Sequence, residues 1–151
     1  MINPKMVGWG LFGVLSLIAV LHVYWGLGGL WPADSVRELI DLVIGDSRFE
    51  RMPPAWMTLI IAGLIGAAGW FALEASGTLS ILPKRLVTIA TWGLIIIFAL
   101  RGLSTYAFAV GLREVSPYAT QAFQRYDAIL YAPLCMAIAA AFVFLALRKN
   151  S

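Results

Sequence analysis

Four long runs of apolar residues dominate the chain, and short polar segments connect them. The runs cover residues 7–31, 55–73, 86–112 and 126–147. Each approaches or exceeds the roughly 20 residues with which an α-helix crosses a bilayer. The pattern predicts an all-α fold, a four-helix transmembrane bundle that forms a single domain over residues 1–151.

An amphipathic helix is predicted between the first two runs, over residues 35–45. Apolar residues recur there with the i, i+3, i+4, i+7 spacing of a helix that has one apolar face. Ser35 and Glu38 form a capping box, and Gly45 stands where the helix would end. A helix of this kind lies in the membrane interface. It either covers the bundle as a lid or only shields apolar loop surface.

The composition agrees with a membrane protein. Hydrophobic residues make up 61% of the chain and charged residues 13%, whereas soluble domains hold about half and about a quarter. The first run is too long for the apolar region of a signal peptide, so we expect it to stay in the membrane. The net charge of +3 comes from Lys and Arg near the ends of the runs. It therefore bears on topology and gives no reason to expect a nucleic-acid partner.

The distribution of Lys and Arg predicts how the protein sits in the membrane. The side that holds both chain termini has only Glu74 against five basic residues: Lys5, Lys84, Arg85, Arg148 and Lys149. On the other side, acidic residues such as Glu114 outnumber arginines such as Arg113. Because Lys and Arg favour the cytoplasmic side, we expect both chain termini to be cytoplasmic.

Three ionisable residues are predicted to lie at bilayer depth, where such residues are functional candidates. His22 and Arg101 each lie roughly 22 Å along a helix axis from the cytoplasmic end, and Asp127 and Tyr131 come out at a similar height. The spacing of Asp127, Tyr131 and Cys135 places them on one helix face. The sequence therefore predicts a polar layer in the outer leaflet.

The chemistry of this layer leaves several roles open. A guanidinium keeps its charge, so Arg101 needs a partner, and Asp127 is the expected one. The bridge is either structural or also binds an anionic or phenolic ligand. His22 could hydrogen-bond to Tyr131, to Ser104 or to a backbone carbonyl, transfer a proton, or ligate a metal.

No cofactor and no metal site is predicted. Haem is disfavoured because the single histidine offers one axial ligand and no CxxCH motif is present. The single cysteine, Cys135, excludes an internal disulfide. It is expected to be a small buried residue, with a reactive thiol or a ligand as alternatives.

The ends of two spans carry residues that could shape a pocket. Tyr24 and Trp25 are typical of the aromatic belt at a membrane interface, and they could also line a ligand site. The glycines that follow, from Gly26 to Gly29, permit either tight packing or an unwound turn. Pro133 removes a backbone hydrogen bond inside the fourth span and predicts a kink there.

These residues also carry a resemblance to a known family. The motifs are His-Val-Tyr-Trp-Gly-Leu-Gly-Gly from His22, the isolated Arg101, and Asp127 followed by Tyr-Ala-Pro-Leu-Cys from Tyr131. With these motifs the chain resembles an uncharacterised bacterial family of small four-span membrane proteins, domain of unknown function 3995. The resemblance covers nearly the whole chain and implies the four-span fold in a bacterial inner membrane. It implies no activity.

The sequence favours a protein that binds a small amphipathic or lipid-like ligand, with transport or sensing as the purpose of binding. A few polar groups in an apolar cavity are the usual makeup of such a site. The expected ligand contacts are His22, Tyr24, Trp25, Arg101, Asp127, Tyr131 and Cys135.

Two other functions stay open. The protein could be a membrane enzyme in which His22 acts as acid or base, with Asp127 orienting it and Arg101 stabilising negative charge. It could instead be an accessory or structural subunit. Expected partners are membrane lipids and the ligand, and a homo-oligomer or a membrane partner protein is left open.

Overall fold

The computed structural model describes residues 2–109 and 117–149. Arg113, Glu114 and the predicted end of the third span at residue 112 lie outside these ranges. Within them the chain is helical, and no strand forms beyond an isolated antiparallel bridge. Four helices are long and apolar enough to cross a membrane. The predicted all-α membrane bundle with four spans is confirmed.

The first three spans are single helices, and a short helix follows the first. Their bounds are α1, Pro4–Gly26; α2, Val36–Val43; α3, Ala55–Ala75; and α4, Lys84–Ala109. The fourth span is continuous but mixed. It consists of α5, Gln121–Tyr126; a π-helical segment, Asp127–Tyr131; and α6, Ala132–Lys149.

The first span is shorter than its apolar run, which continues to residue 31. Gly28 has a φ of +94°, a conformation outside the helical region that favours glycine. The backbone N–H groups of Gly28 and Gly29 donate to the carbonyls of Trp25 and Tyr24, at 3.0 and 2.9 Å. Of the two alternatives for this segment, the structure therefore has the unwound turn, and its backbone donors are satisfied locally.

The amphipathic helix forms where the sequence predicts it. The Ser35 hydroxyl accepts a hydrogen bond from the Glu38 backbone N–H at 3.2 Å. The Glu38 carboxylate reaches back and accepts a hydrogen bond from the backbone N–H of Asp34 at 3.0 Å, which satisfies a second donor at the start of the helix. Gly45 has a φ of +71° and ends the helix.

Helices α1 and α3 are antiparallel and pack closely through small residues. Gly8 lies directly against Ser76, and a Cβ added to Gly69 would come within 3.4 Å of Phe12. In the second span this close packing occurs at Gly69 and at the buried alanines 62 and 72. It does not extend to the glycines at 63 and 66, which have open space beside them.

The apolar core occupies one half of the bundle. Buried side chains from all four spans meet there, among them Leu15, Ala72, Val87 and Phe142. This half ends at Lys84 and Arg148, and we call that end the basic end. The opposite end carries α2, and we call it the capped end. Helix α1 packs against α3 and α6 and does not pack against the described part of α4.

Pro133 accounts for the irregular turn in the fourth span. Proline has no N–H, and its ring collides with the carbonyl four residues before it in a regular helix. The preceding residues widen to a π-helical turn, in which the Ala132 N–H donates to the carbonyl of Asp127. Wide turns of this kind are frequent at functional sites. The irregularity lies at the predicted position and is a widened turn.

Candidate functional site

A charged cluster joins α4 to the π-helical segment in the half of the bundle nearer the capped end. The Arg101 guanidinium donates to the Asp127 carboxylate at 2.5 Å and to the Thr105 hydroxyl at 3.3 Å. That hydroxyl donates to the other Asp127 oxygen at 2.6 Å. Both Asp127 oxygens are therefore bonded. The predicted Arg101–Asp127 pair is confirmed.

The two charges of the cluster differ in exposure. The side chain of Asp127 is 8% exposed and that of Arg101 is 39% exposed. A buried carboxylate is stable only when its charge is paired and its oxygens accept hydrogen bonds. Arg101 and Thr105 meet both needs of Asp127, and part of the Arg101 side chain remains at the protein surface.

Thr105 is a member of the cluster that no sequence motif singles out. It lies one helical turn from Arg101, so the two side chains share a face of α4. A threonine in an apolar helix is ordinary, and it usually bonds a carbonyl of its own helix. Its position one turn from the isolated arginine is the signal that could have identified it.

Asp127 and Tyr131, which were expected on one face, reach different partners. Asp127 bonds to α4, whereas the Tyr131 hydroxyl donates to the Leu42 carbonyl of α2 at 3.3 Å. The π-helical turn lies between them and changes the angle that separates them. Cys135, which was expected to be buried, is only half-buried.

Further hydrogen bonds join α2 and the loop after it to the residues just before the fourth span. The Thr120 hydroxyl donates to the Asp41 carbonyl at 2.7 Å, and the Thr120 N–H donates to the Gly45 carbonyl at 3.0 Å. The Ser47 N–H donates to the Tyr118 carbonyl at 2.8 Å. The amphipathic helix therefore covers the end of the fourth span near the cluster.

His22 lies apart from the charged cluster. Its Nδ1 donates to the Ile18 carbonyl of the same helix at 2.8 Å, and its ring lies 5.2 Å from that of Trp25. Of the three hydrogen-bond partners considered, the structure has the backbone carbonyl. Because α1 does not pack against the described part of α4, His22 does not meet Arg101.

Tyr24 and Trp25 hold the unwound turn at the end of α1. The Trp25 indole N–H donates to the Trp31 carbonyl at 2.7 Å. The Tyr24 hydroxyl accepts from the Trp31 N–H at 3.5 Å, and the Tyr24 ring packs directly on Gly29. Both side chains thus fold the next residues back onto the helix end.

The charged cluster lies apart from a cavity at the basic end of the bundle. A cavity of about 300 Å³ lies at the basic end, lined by residues such as Glu74 and Lys84, far along the bundle from Arg101. Among the described residues, no group of three His, Cys, Asp or Glu side chains could hold a metal ion.

Comparison with known proteins places the chain in a family. No curated protein and no solved structure matches it. The family model described as "Protein of unknown function (DUF3995)" matches residues 15–142, a stretch that includes His22, the Arg101–Asp127 pair and Tyr131. The chain belongs to this uncharacterised family, and the resemblance carried by the sequence motifs is confirmed.

Proposed function

We propose that the protein binds a small amphipathic or lipid-like molecule beside Arg101, in the leaflet at the capped end, where binding serves transport or sensing. The observation that carries this proposal is an arginine at bilayer depth whose guanidinium is held by two neighbours and whose side chain is still partly exposed.

Arg101 has donors to spare. A guanidinium has five N–H donors, and the bonds to Thr105 and Asp127 use two of them. The residue lies about 25 Å from Lys84 along the helix axis, within the roughly 30 Å of the hydrocarbon core. At this depth the charge persists and needs polar contacts. An oxygen acceptor on a bound molecule would supply them.

The charge of the site indicates the class of ligand. Asp127 neutralises Arg101, so the pair does not require an anion. A carbonyl, ester or phenolic oxygen would satisfy the remaining N–H donors. Ile97, one turn away on α4, is 62% exposed and offers an apolar surface to the rest of the molecule. An amphipathic ligand meets both features.

The enzyme alternative has less support. The Nδ1–H of His22 donates a hydrogen bond to the Ile18 carbonyl. Because α1 packs against neither the described part of α4 nor the π-helical segment, Asp127 does not orient His22 and Arg101 does not lie beside it. Acid–base catalysis needs such groups within hydrogen-bond reach of each other.

Native mass spectrometry of the gently purified protein tests the binding proposal. We expect a copurified small molecule on the wild type and its loss from folded Arg101→Gln, which retains size and some polarity but loses the charged fork. Arg125→Gln is the matched control, because Arg125 is an exposed arginine at the same end of the bundle. It should keep the molecule.

Folding is checked by circular dichroism and gel filtration for each variant. If Arg101→Gln does not fold, Arg101→Lys replaces it, since a lysine keeps the charge but cannot make the same forked contacts. The same adduct on all folded variants, or no adduct on the wild type, would show that the pair is only structural.

We also propose that the basic end faces the cytoplasm of a bacterial cell. Lys5, Lys84, Arg85 and Arg148 lie at that end, and the rule that basic residues remain inside supports this orientation. In a Cys135→Ser background, a membrane-impermeant maleimide added to intact cells should label Ser47→Cys and leave Ser80→Cys unlabelled. The reverse pattern would invert the orientation.

A further inference from the structure

The cavity at the basic end combines cationic, hydroxyl and apolar walls. It has a volume of about 300 Å³, at the lower end of the roughly 300–1,000 Å³ of small-molecule sites. It therefore fits a headgroup or another small polar group rather than a whole lipid. The lining residues that matter here are Glu74, Ser80, Lys84, Val87, Leu145 and Arg148.

The two cations of the cavity have no carboxylate partner among the described residues. The ion pairs of the described chain all lie elsewhere, in the capped half: Arg37–Asp41, Arg48–Asp46 and Arg101–Asp127. The Arg148 guanidinium lies over the Phe144 ring, 5.4 Å from its centre. This stacking orients the guanidinium and leaves its edge available for hydrogen bonds.

The acidic residue of the cavity is committed to the backbone. Glu74 is 4% exposed, and its two oxygens accept from the Ile81 N–H at 3.1 and 3.2 Å. The Leu82 N–H adds a longer contact of 3.5 Å. Glu74 thus holds the turn that carries Ser80 and leads into Lys84. With one carboxylate against two cations, the lining stays net positive.

We propose that this cavity binds a phosphate ester, with Lys84 and Arg148 as its charged contacts. A guanidinium and an ammonium are the side chains that bind phosphate oxygens best. Basic pockets between membrane helices are known to take anionic headgroups. The apolar walls at Val87 and Leu145 suit the glycerol carbons that follow the ester. This site is separate from Arg101 and does not depend on the function proposed there.

Isothermal titration of delipidated protein in dodecyl maltoside micelles tests the proposal with three probes. These are dihexanoyl phosphatidylglycerol, glycerol 3-phosphate and, as a probe without net charge, dihexanoyl phosphatidylcholine. We expect phosphatidylglycerol, glycerol 3-phosphate or both to bind the wild type more tightly than phosphatidylcholine does. Lys84→Gln and Arg148→Gln should each weaken binding about fivefold, the effect of one basic charge near a phosphate.

Lys5→Gln and Arg85→Gln are the matched controls, because they remove charges at the same end that do not line the cavity. They should change the affinity less than about twofold, since they leave the phosphate contacts intact. Binding of phosphatidylglycerol alone assigns the site to a lipid headgroup, and equal binding of glycerol 3-phosphate assigns it to a soluble ester.

The proposal fails if none of the probes binds, if phosphatidylcholine binds as well as phosphatidylglycerol, or if all four variants weaken binding equally. The last result would mean that the overall charge of the surface attracts the lipid. Thermal unfolding of each variant checks that the fold is kept. Because Arg101 is unchanged in all of them, failure here leaves the adduct experiment at Arg101 unaffected.

Discussion

The basic half and the capped half of the bundle are held together by different interactions. In the basic half, apolar side chains from all four spans interlock around Phe142 and Leu145, which are almost fully buried. In the capped half, hydrogen bonds and ion pairs link the elements. Arg101 and Thr105 bind Asp127, and Tyr131 and Thr120 bind the backbone of α2.

This difference matters because lipid is as apolar as a protein core. Apolar side chains gain little by leaving lipid, so helices in a bilayer associate through close packing and through hydrogen bonds. The basic half uses close packing, which has one tight arrangement and tolerates little change. The capped half uses individual polar bonds, which the ligand proposed at Arg101 would supplement or replace. We therefore expect stability to be concentrated in the basic half and adaptability in the capped half.

Removing a side chain from the packed core should have the largest effect. Phe142 is fully buried and stacks with Phe98, with ring centres 6.4 Å apart. We expect Phe142→Ala to lower the free energy of unfolding by about 3 kcal/mol, because the cavity removes contacts that lipid cannot restore. Unfolding in mixed micelles with increasing dodecyl sulfate measures this change.

The control for this variant is Ile97→Ala, a truncation of a side chain that is 62% exposed on the outside of α4. It should change the free energy of unfolding by less than about 0.5 kcal/mol, because it removes few contacts within the protein. A loss as large as that of Phe142→Ala would mean that the core is not the main source of stability.

Releasing α2 should have a smaller and local effect. Tyr131→Phe removes the hydrogen bond to Leu42 and keeps the ring, and Thr120→Val removes the bond to Asp41. Each should cost about 1 kcal/mol. Thr120→Val should have the larger effect of the two, because that hydroxyl also accepts from the Phe123 N–H at the start of α5.

Amide hydrogen exchange reports this change where it occurs. We expect exchange in α2 to become about fivefold faster, which corresponds to about 1 kcal/mol of local opening, and exchange in α3 to stay the same. Thr120→Ser keeps the hydroxyl and should behave like the wild type. Faster exchange throughout the bundle would show that α2 and the core unfold together, and the proposed division of the molecule would be wrong.

The sequence predicts those parts of the structure that depend on one segment of the chain and not on which helices are neighbours. Hydropathy gives the spans because any helix of that length and composition suits a bilayer. The Arg101–Asp127 pair follows because a guanidinium at bilayer depth needs a polar partner and Asp127 is at a similar height. Height along the bundle does not say which helices are neighbours, so the sequence could not separate His22 from Arg101.

Other contacts have no signature in the sequence. Tyr131 bonds to the carbonyl of Leu42, and every residue offers a carbonyl. Glu74 looks like an ordinary charge in a turn, and only the fold shows that it is buried against the N–H of Ile81. The helical turn lost after Gly26 depends on the conformation of Gly28, which a hydropathy pattern cannot detect.

The smallest effect on stability is expected at the water-facing edge of the capped half, where an ion pair between Asp46 and Arg48 follows α2. Arg48 donates to both oxygens of Asp46, and its guanidinium lies over the Tyr118 ring. The hydrogen bond from the Arg48 side chain is the main cause that lowers the pKa of Asp46 to about 2. The backbone N–H of Arg48 adds to it.

The sign of the pH dependence follows from this lowered pKa. In the unfolded chain the pKa of an aspartate is about 3.9, so the pair stabilises the fold above that pH. The contribution is lost as the pH falls from there through about 2. Carbon-13 NMR of the Asp46 carboxyl should give a pKa that rises toward the unfolded value in Arg48→Gln. Tyr118→Leu keeps the ion pair and should leave the Asp46 pKa low. An unchanged pKa in Arg48→Gln would show that the backbone N–H alone lowers it, and that the ion pair does not stabilise the fold.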